Sequence, residues 1–229
     1  MTNRQGIQTS GLLVRPDRVA SSDVVLEAER VGKSFRRGWR RDPLKVLVDA
    51  NLRLVAGEIV GLVGENGSGK STLMKILVGS LEKDGGRVAQ HGSVGYCPQN
   101  PILYERLTCD EHFELFGRAY GLATAARERN QQEIYHILGF DKFRTARVEE
   151  LSGGTRAKLN LGLALLHDPD LLLLDEPYAG FDWDTYLKFW SLAAERRDRG
   201  RTVLIISHFV ADEERFDRIV HLSDGRTQG

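Results

Sequence analysis

The stretch Gly64-Glu65-Asn66-Gly67-Ser68-Gly69-Lys70-Ser71 decides the fold, because it fits the pattern G-x-x-x-x-G-K-[ST]. Its glycines let the backbone wrap around a phosphate group, with amide N–H groups pointing inward. A helix that begins at the end of this loop adds the positive end of its dipole. In this pattern Lys70 reaches the β- and γ-phosphates, and the Ser71 hydroxyl binds Mg²⁺. The alternative is a surface turn that contains a lysine by chance.

The flanking residues favour the phosphate-binding interpretation. Ile59 to Val63 is an apolar run of the length of a buried strand, and Ser71 to Val78 suits a helix. The loop therefore stands between a predicted strand and a predicted helix, which is the context that such a loop requires.

A second chemical feature follows the apolar run Leu171 to Leu174, which ends in Asp175 and Glu176. A strand of this kind delivers adjacent carboxylates to the carboxyl edge of a sheet, where ligands bind in α/β folds. We expect Asp175 to hold Mg²⁺, directly or through water, and Glu176 to orient or deprotonate an attacking water. Taken without the glycine-rich loop, the same residues also fit a buried strand that ends in a solvated acidic turn.

The remaining pattern predicts an α/β fold with a largely parallel sheet, because apolar strands alternate with helices. Residues 24–54 predict an N-terminal β portion, and residues 101–167 a mostly helical lobe that begins with a capping box at Thr108 and Glu111. Residues 1–22 are polar and predict a flexible tail. Further elements are predicted at Val94–Tyr96, Ala123–Leu138, a segment from Ser152, Tyr186–Arg197, Val203–Ile206 and Ile219–Leu222.

Composition argues against several classes of protein. Lys and Arg number 32, and so do Asp and Glu, so the chain lacks the positive excess typical of nucleic-acid binders. Two cysteines, Cys97 and Cys109, cannot form a disulfide framework. No apolar run approaches the ~18–20 residues that a spanning helix needs, so any membrane role is expected to be peripheral.

Further residues, in a fixed order along the chain, resemble the motifs of the ATP-binding-cassette (ABC) ATPases. Leu151-Ser152-Gly153-Gly154 is similar to the signature motif of that family, and it precedes the acidic strand. The resemblance covers roughly residues 24–229. The other residues that carry it are Phe35, Gln99, Gly180-Phe181-Asp182 and His208.

The resemblance implies a fold and a set of ligand contacts. The fold is a P-loop NTPase with a mainly parallel sheet, an N-terminal antiparallel β portion and an inserted helical lobe, together forming one ABC ATPase domain at residues 23–229. ATP and Mg²⁺ are the implied ligands, and Ser71, Gln99 and Asp175 are the implied contacts of the metal. The implied ATP contacts of the loop are Gly64, Glu65, Asn66, Gly67, Ser68, Gly69, Lys70, Ser71 and Thr72.

Outside the loop, the resemblance gives each motif residue a role. Ser152, Gly153 and Gly154, at a helix N-terminus, suit a γ-phosphate that is held by a second subunit. Gln99 senses Mg²⁺ and the attacking water, and His208 hydrogen-bonds the γ-phosphate. Phe35 stacks on adenine, although an aromatic residue is also commonly part of a core. Taken singly, Gln99 is also consistent with a solvated side chain and His208 with a structural one.

The resemblance leads to an ATP-hydrolysing subunit of a transporter, working as a head-to-tail dimer with a second ABC subunit, here a copy of itself. A separately encoded multi-span permease is the expected membrane partner, docking near residues 100–120. We therefore expect a cytoplasmic protein, peripheral on the inner face of the cell membrane, without nucleic acid. Asn66-Gly67 and the segment after Gln99 resemble single-cassette exporters. The alternatives are an importer ATPase and a soluble ABC ATPase that acts on ribosomes or DNA.

Three positions depart from the family pattern. Thr155 stands where Gln usually follows the signature, Phe181 where Leu is common, and Trp183 where Pro is frequent. None of them removes a phosphate or metal ligand, so the expectation of ATP use is unaffected. The arginines of the Arg36–Arg41 stretch favour a solvated hairpin over a lipid- or nucleic-acid-binding patch. The sequence does not reveal the cargo.

Overall fold

The computed structural model describes residues 24–36, 43–207 and 210–228. The expected tail at residues 1–22, the arginines from Arg37 to Arg41, and His208 lie outside the described residues.

The described residues form strands and helices in the order that an α/β protein requires. The strands are β1 Val24–Phe35, β2 Leu44–Val55, β3 Ile59–Val63, β4 Gly85–Gln90, β5 Val94–Cys97, β6 Leu171–Asp175, β7 Thr202–Ile206, β8 Arg218–Ser223 and β9 Arg226–Gln228. The α-helices are α1 Lys70–Leu77, α2 Cys109–Ala119, α3 Thr124–Leu138, α4 Gly153–Leu165 and α5 Trp183–Asp198. Short 3₁₀ helices occur at Asp141–Phe143, Val148–Glu150 and Val210–Arg215.

The central sheet has the strand order β5-β6-β7-β3-β8-β9. Its first five strands are parallel, and β9 pairs antiparallel with β8. Successive residues of a strand face opposite sides, and in β6 Leu172 and Leu174 join one core cluster while Leu171 and Leu173 join the other. Both faces of the sheet are therefore covered, which explains why β6 is an uninterrupted apolar run.

The expected β portion at the N-terminus is a separate antiparallel sheet with the order β2-β1-β4. Its apolar side chains share a core with α1 and with one face of the central sheet. Strand β2 also passes beside the glycine-rich loop, since a Cβ on Gly69 would lie 3.0 Å from the carbonyl oxygen of Val46. This contact places the antiparallel sheet next to the start of α1.

Helices α2, α3 and α4 occupy the region predicted to be mostly helical. The capping box at Thr108 and Glu111 is present at the start of α2, as predicted. Phe113 is fully buried in the core of these helices, while the Tyr120 ring stacks on His167 with centroids 3.9 Å apart. The aromatic face of α2 is thus buried in the core at Phe113, whereas Tyr120, just beyond the C-terminal end of α2, is exposed.

The structure differs from the sequence predictions in three elements. Helix α5 begins at Trp183, not Tyr186, because the Asp182 side chain caps it by accepting from the N–H of Thr185. Strands β4 and β9 were not predicted, because their residues are mostly exposed and lack an apolar alternation. Pairing with β1 and β8, and not side-chain burial, makes them strands.

Candidate functional site

The glycine-rich loop connects β3 to α1 at the carboxyl edge of the central sheet. Gly64 has φ +155° there, and a Cβ on it would lie 2.2 Å from the carbonyl oxygen of Leu222, so no other residue fits without a backbone shift. Gly69 is the N-cap of α1 with φ +108°, and α1 has no side-chain cap. The first N–H groups of α1 consequently need an acceptor from outside the helix, which a phosphate oxygen can supply.

Lys70 lies inside this loop with a relative exposure of 6%. Its Nζ donates to the carbonyl oxygens of Gly64, at 2.7 Å, and of Glu65, at 2.9 Å. Burial lowers the pKa of Lys70, while the nearby carboxylates of Glu176 and Asp175 act in the opposite direction. The loop thus closes around a cation that faces two acidic side chains, which is the charge arrangement of a site for a phosphate and a metal ion.

Asp175 and Ser71 provide oxygen ligands that fit Mg²⁺. Asp175 is 2% exposed and accepts a hydrogen bond from the Ser71 side chain. The buried Oδ1 of Asp175 has no hydrogen-bond partner among the described residues. Burial raises the pKa of Asp175, which the Ser71 hydrogen bond partly offsets. A cation at this oxygen would remove the cost of burying the carboxylate.

The donor set fits a cation that is shared with phosphates. Within the described part of the chain, no group of three or more His, Cys, Asp and Glu side chains could hold a metal ion by itself. Mg²⁺ commonly takes one or two protein oxygens together with substrate phosphates and water. The Asp175 carboxylate and the Ser71 hydroxyl, beside a phosphate-binding loop, fit this mode of Mg²⁺ coordination.

Glu176 leaves β6 in an unusual backbone conformation, with φ +51°. Its N–H donates to the carbonyl oxygen of Ile206 on the neighbouring strand, at 3.1 Å. A non-glycine residue in the left-handed region costs on the order of 1–3 kcal/mol and is over-represented at functional sites. This conformation ends β6 immediately after Asp175.

A cleft of about 330 Å³ brings four of the expected site residues together, namely Gln99, Gly153, Gly154 and Glu176. Gln99 is exposed, and the chain before it is fixed because Asn160 Nδ2 donates to the carbonyl oxygen of Pro98 at 2.8 Å. None of the described residues that line this cleft belongs to the 64–72 loop. The cleft therefore joins Gln99 and Glu176 to the 152–154 segment of the same chain, apart from Lys70.

The 152–154 segment lies at the N-terminus of α4. Ser152 caps this helix by accepting from the N–H of Thr155 at 3.3 Å, and the hydroxyls of these two residues are 3.0 Å apart. Ser152 and Gly153 are exposed. A Cβ on Gly154 would lie 2.4 Å from the carbonyl oxygen of Gly180, so the 152–154 segment packs directly on the chain after Glu176.

Phe35 ends β1 with a relative exposure of 38%, and the Nζ of Lys33 lies 5.7 Å from its ring centroid. An exposed ring at this position is available to a planar ligand and is not part of the core. The hairpin that carries Phe35 also carries Val46, which is the neighbour of Gly69 described above.

Two contacts of the site were not anticipated. The Tyr178 hydroxyl donates to Ser207 Oγ at 2.7 Å, which joins the chain after Glu176 to the end of β7. Lys158 on α4 pairs with Asp182 at 3.1 Å. Thr185 follows Asp182 at capping spacing, so the sequence carried a signal for the Asp182 cap. The sequence carried no signal that Tyr178 would contact Ser207 or that Lys158 would contact Asp182, because these partners are distant in the chain.

Fold and loop together define a P-loop nucleotide-binding protein of the α/β class. A family model described as "ABC transporter" matches residues 47–179 of the chain. The chain therefore belongs to the ABC transporter family, as an ATP-binding cassette domain. Within the described residues, no helix combines the length and apolar character that a membrane crossing requires.

Related proteins that are described as ABC proteins support membership of this family. The mouse protein "ATP-binding cassette sub-family A member 17" is 32% identical over 89% of this chain, which spans about 12% of that protein's length. The "Nod factor export ATP-binding protein I" of Burkholderia lata is 34% identical over 84% of this chain and 68% of that protein. Its counterpart in Mesorhizobium japonicum is 32% identical over 96% of this chain and 66% of that protein.

Solved structures show the same fold. An ATP-binding subunit of an ABC transporter superposes with a TM-score of 0.80 at 28% identity, over 90% of this chain and 88% of that one. A dimeric bacterial ABC transporter cassette superposes with a TM-score of 0.82 at 24% identity, over 89% of this chain and 97% of that one.

Proposed function

We propose that this chain is the ATP-hydrolysing subunit of an ABC exporter, and that it works as a head-to-tail dimer beneath a separately encoded membrane permease. The observation that carries the proposal is the arrangement at one edge of the central sheet. There Lys70, inside the glycine-rich loop, lies near enough to the adjacent carboxylates Asp175 and Glu176 for both to act on its pKa. In this proposal residues 23–229 form one ABC ATPase domain, in which residues 101–167 are an inserted helical lobe.

The residues of the loop bind the substrate. Residues Gly64 to Thr72 donate backbone N–H groups to the phosphates of ATP, and the Lys70 ammonium lies against the β- and γ-phosphates. Ser71 and Asp175, with Gln99 as a further contact, would hold Mg²⁺, which would offset the phosphate charge when bound. Phe35, exposed at the end of β1, stacks on adenine.

Glu176 performs the general-base step. Its carboxylate orients the attacking water in line with the γ-phosphate and accepts a proton from it. Gln99 shares the cleft with Glu176 and positions the same water. His208 completes the site as a hydrogen-bond donor to the γ-phosphate. Positioned charge supplies most of the rate acceleration, and general-base assistance adds roughly 10²–10⁴-fold.

A head-to-tail dimer supplies the 152–154 segment. Ser152 and Gly153 are exposed at the N-terminus of α4, and the cleft lined by Gly153 and Gly154 contains no residue of the 64–72 loop of the same chain. A helix N-terminus attracts anions, so this segment suits the γ-phosphate of ATP bound to a second copy. The similarity in fold to a dimeric cassette is consistent with this arrangement.

The segment after Gln99 is the proposed docking site for the permease. Ile102 is 80% exposed and Tyr104 56% exposed, so this segment offers large apolar side chains that a docked protein would cover. Two relatives carry the description "Nod factor export ATP-binding protein I", which supports export as the direction. In this proposal the docked chain lies on the cytoplasmic side of the cell membrane.

Affinity capture from membranes tests the proposal. We expect the Glu176→Gln variant, with ATP present, to retain a multi-span membrane protein that is lost in the Ile102→Asp/Tyr104→Asp double variant. A matched variant with two exposed changes on α3, Glu128→Lys and Arg129→Glu, should retain it. Recovery of ribosomal protein or DNA in place of a membrane protein would contradict the exporter.

A further inference from the structure

We propose that the Glu105–Arg156 ion pair transmits the position of the segment after Gln99 to the 152–154 segment, so that Arg156 is a positioning residue for hydrolysis. The inference rests on the proposed function, in which the first segment meets the permease and the second meets the ATP of the neighbouring subunit. Neither residue belongs to the nucleotide contacts assigned above.

The geometry of the pair is that of a clamp. Arg156, in the first turn of α4, donates through Nη1 and Nη2 to the two carboxylate oxygens of Glu105, each at 2.9 Å. Its Nε also donates to the carbonyl oxygen of Leu151 at 3.4 Å. A bidentate guanidinium–carboxylate pair fixes direction as well as distance. One side chain thus connects Glu105 to the residue that immediately precedes Ser152.

Backbone hydrogen bonds join the same two segments. The N–H of Glu149 donates to the carbonyl oxygen of Glu105 at 3.1 Å, and the N–H of Val148 donates to that of Leu107 at 3.0 Å. The N–H of Tyr104 donates to Nε2 of the buried His112 at 2.9 Å. The exposed side chains of Ile102 and Tyr104 therefore stand on a segment that cannot move without displacing the chain that leads into Ser152.

Arg156 also lies close to the proposed catalytic residue Glu176, because both line the same cleft. Gly154 packs on the carbonyl oxygen of Gly180, and the cleft lined by Glu105 and Arg156 is also lined by Glu176. A shift of Arg156 consequently changes both the segment offered to the neighbouring ATP and the contact behind Glu176.

Exposure argues for an orienting role over a stabilising one. The side chains of Arg156 and Glu105 are 33% and 54% exposed, and ion pairs of this exposure contribute at most about 1 kcal/mol to stability. Loss of the pair should therefore change turnover more than folding. The chain offers a matched control, because Arg199 and Glu195 form a partly exposed pair at 2.5 Å at the C-terminal end of α5, and neither residue lines the cleft.

The experiment compares Glu105→Gln, Arg156→Gln, Arg156→Lys and the double variant Glu105→Gln/Arg156→Gln with the controls Glu195→Gln and Arg199→Gln. Steady-state ATP turnover, the Kd of a fluorescent ATP analogue and Tm are measured on the full chain. We expect each Gln variant at 105 or 156 to lower kcat about tenfold, because a small displacement of a positioning group is enough. The Kd should stay within about twofold, because the 64–72 loop is untouched.

Two patterns distinguish coupling from independent effects. The double variant should be no slower than the slower single variant, since residues that act as one unit are not additive. Arg156→Lys, which keeps the charge but loses the bidentate geometry, should be faster than Arg156→Gln. Amide hydrogen exchange should become faster in residues 151–156 of Glu105→Gln and stay unchanged in residues 64–72.

Several results would overturn the inference. They are wild-type kcat in both single variants, multiplied losses in the double variant, equal losses in the Glu195 and Arg199 controls, or a fall in Tm that accounts for the lost turnover. Unchanged exchange in residues 151–156 would overturn it as well, whatever the turnover. An inactive wild-type chain that also fails to bind the ATP analogue would remove the proposed function itself, which is a different outcome from an active chain with unaffected variants.

Discussion

A Cβ on Gly154 would lie 2.4 Å from the carbonyl oxygen of Gly180, so the backbones of the 152–154 segment and of the chain after Glu176 are in direct contact. Gly153, one residue earlier, would place its Cβ within 4 Å of nothing among the described residues that surround it. Packing inside the subunit thus requires glycine at position 154, whereas it leaves room for a side chain at position 153.

The Gly154→Ala variant should be less stable than the wild type, because the new methyl group displaces backbone and not a flexible side chain. We expect a loss of about 1–3 kcal/mol, in the range for overpacking. Gly153→Ala is the matched control and should leave stability unchanged or raise it slightly, since alanine favours a helix start over glycine. Denaturant unfolding without nucleotide measures both, and equal stabilities would contradict the contact.

Lys70→Ala should weaken ATP binding by about 10- to 100-fold, the size of a lost charge-assisted hydrogen bond. The variant also removes the hydrogen bonds to the carbonyl oxygens of Gly64 and Glu65, so the loop loses the side chain that connects these two residues to α1. Lys83→Ala, at an exposed position beyond α1, serves as the control and should bind normally. Titration with a fluorescent ATP analogue decides the matter, and unaltered affinity in Lys70→Ala would remove the loop from ATP binding.

Glu176→Gln should keep ATP binding while turnover falls by about 10²–10⁴-fold, because an amide cannot accept the proton of the attacking water. The same variant should accumulate a dimer when ATP and Mg²⁺ are present, since hydrolysis no longer opens it. Phosphate release and size-exclusion chromatography measure the two effects. Turnover at the wild-type rate would exclude Glu176 as the base.

Asp175 makes the stability of the metal-free chain depend on pH. Burial raises its pKa in the folded state, so the folded chain favours the protonated form, and the ionised form at neutral pH reduces stability. Asp175→Asn should therefore raise Tm at pH 7 without Mg²⁺. This gain should shrink as the pH falls toward the ordinary carboxyl pKa of about 4.

Asp84 serves as a control, because its pKa is shifted in the opposite direction from that of Asp175. Its pKa is lowered, chiefly by the hydrogen bond from the Lys33 side chain and also by the backbone N–H of Ser34, so its contribution to stability is present at neutral pH and lost in acid. Asp84→Asn should lower Tm at pH 7. Thermal unfolding across pH 4–8 without Mg²⁺ tests both variants, and a decrease in Tm for Asp175→Asn at pH 7 would contradict the assigned direction.

Much of the fold was predictable because its signals are local. The apolar run before the glycine-rich loop, the run before Asp175 and the capping box at Thr108 were each readable within a few residues of sequence. The start of α5 was placed three residues late, although the capping spacing of Asp182 and Thr185 was present. Strands β4 and β9 carried no apolar pattern, so pairing partners elsewhere in the chain had to be known before they could be recognised.

By itself, the sequence determined the class of the protein and the chemistry of its loop, because a phosphate-binding turn depends on glycines and a lysine at fixed spacing. Only the tertiary structure decided which distant residues act together. The contact of Gly154 with Gly180 and the clamp of Arg156 on Glu105 join segments that lie 26 and 51 residues apart in the chain. Spacing in sequence carries no information about such pairs, because their geometry is set by how the helical region packs on the sheet.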